Sequence, residues 1–269
     1  TEIVDLQGMT VPAADVEFEA IFTVTALTVT YYDYEASDLG PAGTPTPAYV
    51  VYTTGTYTIG DAIVHPEAPS IEHYTFSHWE DADGNVWADG AEMPATELAL
   101  YAKYERDAVY LAVIEGTTGV IEKAHRTDME QWYVYGFTGR RFNEAEVPKM
   151  FEVKGDGYYE IEDSELSGTF GTGAKVKVYD RVTGELVEEF YVIYFGDING
   201  DGRINNADAV DLSYELAAPT WSNRRNGVPY RIKAADLDCN GRIANNDSVA
   251  LSNVVSKSYT VDQETGYAS

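Results

Sequence analysis

Apolar and polar residues alternate through most of the chain, and near residue 200 the period changes. The run at 27–31 (LTVTY) puts Leu27, Val29 and Tyr31 on one face and two threonines on the other, the pattern of a half-buried strand. Runs at 74–79 (YTFSHW), 108–113 (AVYLAV), 174–179 (AKVKVY) and 185–194 (ELVEEFYVIY) predict further strands, with Gly- and Pro-rich turns between them. Beyond residue 205 the spacing becomes helical. Ala209, Leu212 and Leu216 recur at i, i+3 and i+7, and Ser248, Leu251 and Val255 repeat the pattern, which predicts two helices. The stretch leading into each of these helices carries no helical pattern of its own.

An internal repeat divides the β-rich part. Residues 8–22 align with 90–104, and Gly8/Gly90, Pro12/Pro94, Ala13/Ala95 and Ala20/Ala102 are identical. Residues 1–24 therefore read as the tail of one truncated repeat and 25–106 as a complete copy, interrupted at 38–47 by a Pro/Gly insert. Residues 107–194 read as a separate β-rich module, and 195–269 as a small helical one.

Each predicted helix is preceded by an acidic loop, and the two loops share one design 39 positions apart: 197–208 (DINGDGRINNAD) and 236–247 (DLDCNGRIANND). Calcium takes six to eight oxygens, which a twelve-residue loop supplies from positions 1, 3, 5, 7, 9 and 12 around a glycine turn at position 6. The first loop offers Asp197, Asn199, Asp201, the carbonyl of Arg203, Asn205 and Asp208, with Gly202 at the turn. The second offers Asp236, Asp238, Asn240, the carbonyl of Arg242 and Asp247, with Gly241 at the turn and Ala244 at position 9. Two loops in one register predict two calcium ions. Both close with Asp where the common EF-hand loop has Glu, so the following helix is expected to lie closer to the ion.

A loop with only an exiting helix, twice, each closed by Asp, resembles the dockerin module of cellulosome-type assemblies. The likeness covers about residues 195–258 and extends to Ile204 and Ile243 at loop position 8. It implies calcium-dependent binding to a cohesin module of a scaffoldin or cell-surface protein. It also implies contacts from loop positions 10 and 11 and from the exposed helix face. Those residues are Asn206, Ala207, Ser213, Tyr214 and Ala218 in the first copy, and Asn245, Asn246, Ser252, Asn253 and Lys257 in the second. Many dockerins bind in two orientations related by internal symmetry; the differences between the copies favour a single orientation here, with Tyr214 as its anchor. An aromatic clasp between the lead-in residues Tyr191, Tyr194 and Phe195 and the distal Tyr259 is expected to close the module. The repeat at 25–106 resembles the internalin-type B repeat, a small β-grasp module, with Trp79 at the family's core tryptophan position.

Composition narrows the remaining classes. Forty-five acidic against 18 basic residues give a net charge of −27, which argues against nucleic acid and anionic membrane surfaces and favours divalent cations. The only cysteine, Cys239, excludes an intrachain disulfide. No apolar run is long enough to span a bilayer and no signal peptide is evident, so no membrane insertion is expected; a start in mid-module suggests a piece cut from a larger secreted protein. No nucleophile motif, phosphate loop or zinc-protease motif is present, and with 45 acidic residues a pair of catalytic carboxylates cannot be singled out, so no enzyme is expected. The four histidines show no metal-binding spacing. Trp132, Tyr133 and Trp221 are candidates for a sugar-stacking patch, with polysaccharide as a possible partner.

The expected fold class is thus a mostly β, multi-module chain (a β-grasp-like repeat plus a β-rich module) with a small all-α calcium-binding dockerin at the C-terminus. The expected function is to anchor an extracellular parent protein through cohesin, with the upstream modules as spacer or support. The alternative is a surface adhesin or carbohydrate-binding protein in which the β modules bind the ligand and the dockerin is only the anchor.

Overall fold

The computed structural model describes residues 25–34, 49–126, 129–138, 142–222 and 228–269. The expectations for a truncated repeat at 1–24 and for the insert at 38–47 fall outside the described residues. Backbone contacts divide the chain into two compact units. Among the described residues the first holds 25–34, 49–69 and 76–103, and the second holds 70–75 and the described part of 104–269.

The first unit is built on a mixed five-stranded sheet. Its strands are β1 (Leu27–Tyr34), β2 (Tyr49–Tyr57), β3 (Tyr74–Glu80), β4 (Val86–Trp87) and β5 (Leu98–Arg106), in the order β2-β1-β5-β3-β4. β1 pairs antiparallel with β2 and parallel with β5. Its alternation buries Val29 and Tyr31, and Tyr34 is buried further along; opposite Tyr31 and Tyr32 the register shifts by one, with Tyr52 the extra residue on β2. Trp79 is 3% exposed and meets Tyr31 edge-on at 4.9 Å, and Val29, Ile63, Met93, Leu100 and Ala102 complete this core.

The second unit has two layers that share one sheet. Strands β7 (Val120–Arg126), β8 (Met129–Tyr135), β10 (Gly157–Glu162), β11 (Lys175–Asp180) and β12 (Leu186–Val192) form it in the order β10-β11-β12-β8-β7. A smaller antiparallel pair, β6 (Tyr110–Val113) and β9 (Phe151–Lys154), packs into the same core with the short helix α1 (Val147–Met150) that leads into β9. Only the central pair, β8 with β12, is parallel. Both faces of that pair are buried, as parallel strands require. Val134, Val192 and Tyr194 point into a β core with Phe137, Phe142, Phe151 and Phe190. Their neighbours Tyr133, Tyr135, Ile193 and Phe195 point the other way, into a second cluster with Leu212, Leu251, Ile198, Leu237 and Trp221. The continuous apolar run at 191–195 is read directly by this arrangement, since alternate residues serve two cores.

Three helices supply the second cluster: α2 (Asn206–Ala217), α3 (Pro229–Ala235) and α4 (Asn245–Val255). The structure therefore corrects the expectation that neither loop has a helix before it, because α3 runs directly into Asp236. Proline at its first positions presets the helical backbone and lacks the donor that the first turn leaves unsatisfied. At seven residues it is too short to display a full periodic pattern. It is held by tertiary contacts: Ala234 and Ala235 are buried, Tyr230 stacks on Tyr191 at 4.8 Å, and the Gly196 amide donates to the Ala234 carbonyl at 2.8 Å.

The expected aromatic clasp is also corrected. Tyr259 is 39% exposed, and the closure is made further along by Gln263, which is 7% exposed. Its amide accepts from the Phe195 N–H at 2.8 Å and donates to the Phe195 carbonyl at 2.9 Å, and Gly266 lies against the Phe195 ring. The Ala268 amide then donates to the Leu237 carbonyl at 3.0 Å. A buried side-chain amide satisfying both polar groups of one residue leaves no orphan at the strand end.

Candidate metal centre

Each loop is wound around its first and last aspartate by the same set of hydrogen bonds. In the first loop Asp197 Oδ1 accepts from the Asp201 amide at 3.0 Å and Oδ2 from the Gly202 amide at 3.1 Å. In the second loop Asp236 accepts in the same way from Asn240 and Gly241, at 3.1 and 2.7 Å. At the far end Asp208 Oδ1 accepts from Ile198 and Asn199 and Oδ2 from Asn205, while Asp247 accepts from Leu237, Asp238 and Ala244. Gly202 and Gly241 sit at φ of 73° and 79°, the left-handed turn that position 6 requires. The exiting helices start at once. Asn205 caps α2 by accepting from the Ala207 amide at 2.8 Å, with Asp208 closing the reciprocal half of the box. Ala244, at the matching position before α4, has no side-chain acceptor to offer.

The electrostatics fit a divalent cation. Asp197, Asp208 and Asp247 are fully buried, and among the described residues no Lys, Arg or His pairs with them. Burial pushes the Asp197 carboxyl up to about 7, and the neighbouring charges of Asp208 and Asp201 add to the rise. Burial likewise raises Asp208 to about 6, and it raises Asp236 and Asp247. Buried carboxylates that already accept backbone donors in their ionised geometry, with no protein cation beside them, call for an external one. In the second loop Asp236, Asp238 and Asp247 bring carboxylate oxygens within 4.8 Å of one another. The first loop carries its charges differently, with Asn199 and Asp201 at the positions of Asp238 and Asn240. All the donors are hard oxygens, the set that suits calcium rather than zinc or copper.

A pH dependence follows. With the folded carboxyl of Asp197 raised to about 7 against an ordinary 3.8, the cost of its burial is absent below the ordinary value, grows as pH rises, and is complete above about 7. Calcium pairs with the ionised form and removes that cost, whereas at low pH it must first displace protons. The calcium-dependent gain in melting temperature should therefore be larger near about pH 8 than near about pH 5. A gain that is flat or larger at the lower pH would contradict this, as read by thermal denaturation in calcium and in chelator at each pH.

The two loops differ in surroundings. The second is open: Cys239, Asn240, Gly241 and Arg242 are exposed. The first lies under the segment 164–172, with Gly200 and Gly202 buried. Three of the residues that do this, Ser167, Gly171 and Thr172, lie in a Gly-rich stretch whose composition signals only a turn.

Beside the loops the α2 and α4 helices present most of the expected contact residues to solvent. Asn206, Ala207, Ser213 and Ala218 are exposed, and Tyr214 is 72% exposed. On α4 and just beyond it Asn245, Asn246, Ser252 and Lys257 are exposed, whereas Asn253 is half-buried, its carbonyl accepting from the Ser258 and Tyr259 amides. Two positions were missed by sequence reasoning. Val210 and Val249 are 53% and 61% exposed, occupy the same position in the two copies, and join Asn206 and Tyr214, or Asn245, at helical spacing. Identical apolar residues on an otherwise polar face were the available signal. The expected sugar-stacking patch is not formed. Tyr133 and Trp221 are each 6% exposed within the second cluster, and Lys123 Nζ covers the ring of Trp132 at 4.5 Å.

Fold and site together define a helical module built on two paired acidic loops and laid on the back of a β-sheet. Residues 195–256 match the dockerin type I domain. Dockerin domains bind cohesin and anchor their proteins in a calcium-dependent manner. No curated protein matches the chain. Among the described residues no helix is long and apolar enough to cross a membrane.

Proposed function

We propose that residues 195–269 hold two calcium ions and plug the parent protein into a cohesin module of a cellulosome-like scaffoldin or of a cell-surface protein outside the cell. The ligands of the first ion are Asp197, Asn199, Asp201, the Arg203 carbonyl, Asn205 through water, and Asp208. Those of the second are Asp236, Asp238, Asn240, the Arg242 carbonyl and Asp247. In this reading residues 107–194 support the dockerin, 25–106 is a β-grasp-like spacer of the internalin-type B repeat, and the chain itself is not an enzyme. The observation that carries the reading is the pair of equivalent loops, each closed by a buried aspartate that starts an exposed helix.

Calcium acts here as a clamp. It offsets two of the three carboxylate charges in each loop, draws the three groups together and thereby fixes the start of α2 and α4, so that Asn206, Val210 and Tyr214 stand at a set distance from their counterparts on α4. Tyr214 supplies a large, exposed aromatic surface, and the equivalent Asn253 is half-buried and small. The α2 end is therefore the anchor. Against an array of immobilised cohesin modules, the full chain should be captured in calcium and released by chelator. On whichever cohesin it binds, Tyr214→Ala should cost at least about 1–2 kcal/mol and Asn253→Ala little. Equal losses would point to binding in both orientations, and capture that survives chelator would remove the proposed role of calcium.

A further inference from the structure

We infer that the segment 164–172 of the β module is a built-in lid over the first calcium loop, with Thr172 and Gly171 as positioning residues, so that the two ions exchange at different rates. This rests on the calcium reading above and assigns to the upstream module a part in metal retention.

The contacts are specific to one loop. The Thr172 amide donates to Asp197 Oδ2 at 2.9 Å, a bond that Asp236 has no counterpart for among the described residues. Thr172 Oγ1 is tied to both the amide and the carbonyl of Tyr194, at 3.1 Å each. Ser167 Oγ donates to the Gly200 carbonyl at 2.6 Å, and the Phe142 amide donates to the Gly202 carbonyl at 2.9 Å. The approach is close enough to demand glycine: a Cβ on Gly171 would lie 2.3 Å from the Gly200 oxygen and 2.5 Å from the Gly202 nitrogen. A Cβ on Gly202 would lie 2.5 Å from the Phe170 oxygen, whereas one on Gly241, its partner in the second loop, would meet nothing within 4 Å.

An ion leaves a loop when water replaces the carboxylates and the turn at positions 4 to 6 opens. In the second loop that turn is exposed, so water reaches it without rearrangement. In the first, Asp197 is 0% exposed and the turn is pinned by Ser167, Phe142 and Thr172, so the lid must lift before the ion can go. The Thr172 N–H also keeps Asp197 Oδ2 oriented and removes the need for a water at that oxygen, as outer-shell donors do for metal ligands.

The test uses the full chain loaded with calcium and mixed rapidly with a fluorescent chelator, with total calcium released giving the stoichiometry. The expected result is two ions released in two phases, the slower by about tenfold or more, the factor for a hydrogen bond to a charged acceptor that must break first. Asp236→Ala should remove the fast phase and Asp197→Ala the slow one. Gly171→Ala should speed the slow phase about tenfold and leave the fast phase unchanged. Ser167→Ala, which adds no bulk, should do the same to a smaller degree and serves where Gly171→Ala does not fold. Two ions leaving in one phase, or both phases speeding equally in either variant, would overturn the lid while leaving the calcium sites in place. Release of no calcium would overturn the sites themselves.

Discussion

Removing calcium from the full chain is expected to lower the melting temperature of the second unit by about 10 °C or more, and replacing Asp197 should do more damage than replacing Asp236. A ligand at a thousandfold excess over its Kd contributes about 4 kcal/mol, and for a unit of this size each kcal/mol is worth about 2–4 °C. The asymmetry comes from what each aspartate leaves behind. Asp197→Ala orphans the buried amides of Thr172 and Gly202, whereas the half-buried Asp201 amide keeps Asn199 Oδ1 as an acceptor. Asp236→Ala frees the amides of Asn240 and Gly241, both exposed, and these turn to solvent. Buried donors without partners cost about 1–3 kcal/mol, so in saturating calcium Asp197→Ala should melt lower than Asp236→Ala by several degrees. Calorimetric scans of the two variants decide it, and equal midpoints would contradict the enclosed first loop.

The second large effect concerns the sheet's back face. Ile193→Ala should destabilise the unit by about 2–5 kcal/mol, because the side chain is 0% exposed in the cluster that joins β12 to α2, α3 and α4. Leu186→Ala, at the start of β12 and 49% exposed, should stay within about 0.5 kcal/mol. Trp221 lies in the same cluster, so its fluorescence should follow the Ile193→Ala transition. Were the helical layer independent of the sheet, Ile193→Ala would leave the Trp221 transition where it is and shift only the β signal.

The loops were legible because their information is local. The candidate oxygen donors, the glycine turn and the closing aspartate all fall within twelve consecutive residues, and the repetition of Asp197 at Asp236 and of Asp208 at Asp247 is visible without any tertiary knowledge. Strands β1, β3, β6, β11 and β12 were legible from alternation for the same reason, although the bulge opposite Tyr31 and Tyr32 was not, since nothing in YVVYTTGTY marks Tyr52 of β2 as an extra residue. What escaped was set by distant contacts. Helix α3 is seven residues long and stands on packing, with Tyr230 against Tyr191, rather than on a periodic pattern. Gln263 sits in a polar terminal stretch that composition reads as solvated, and only the geometry shows it meeting the Phe195 backbone in place of Tyr259. Gly171 and Thr172 look like turn residues, and the need for a missing Cβ at Gly171 appears only once Gly200 and Gly202 are brought against it.

The central claim is that two calcium ions sit in the two loops of one helical layer, and the most direct test is to count them. Native mass spectrometry of the full chain, stripped with chelator and then supplied with calcium, should show two ions bound per chain, one in Asp197→Ala, one in Asp236→Ala and none in the double variant. No bound calcium in the unmodified chain, or two ions retained in the double variant, would contradict the account.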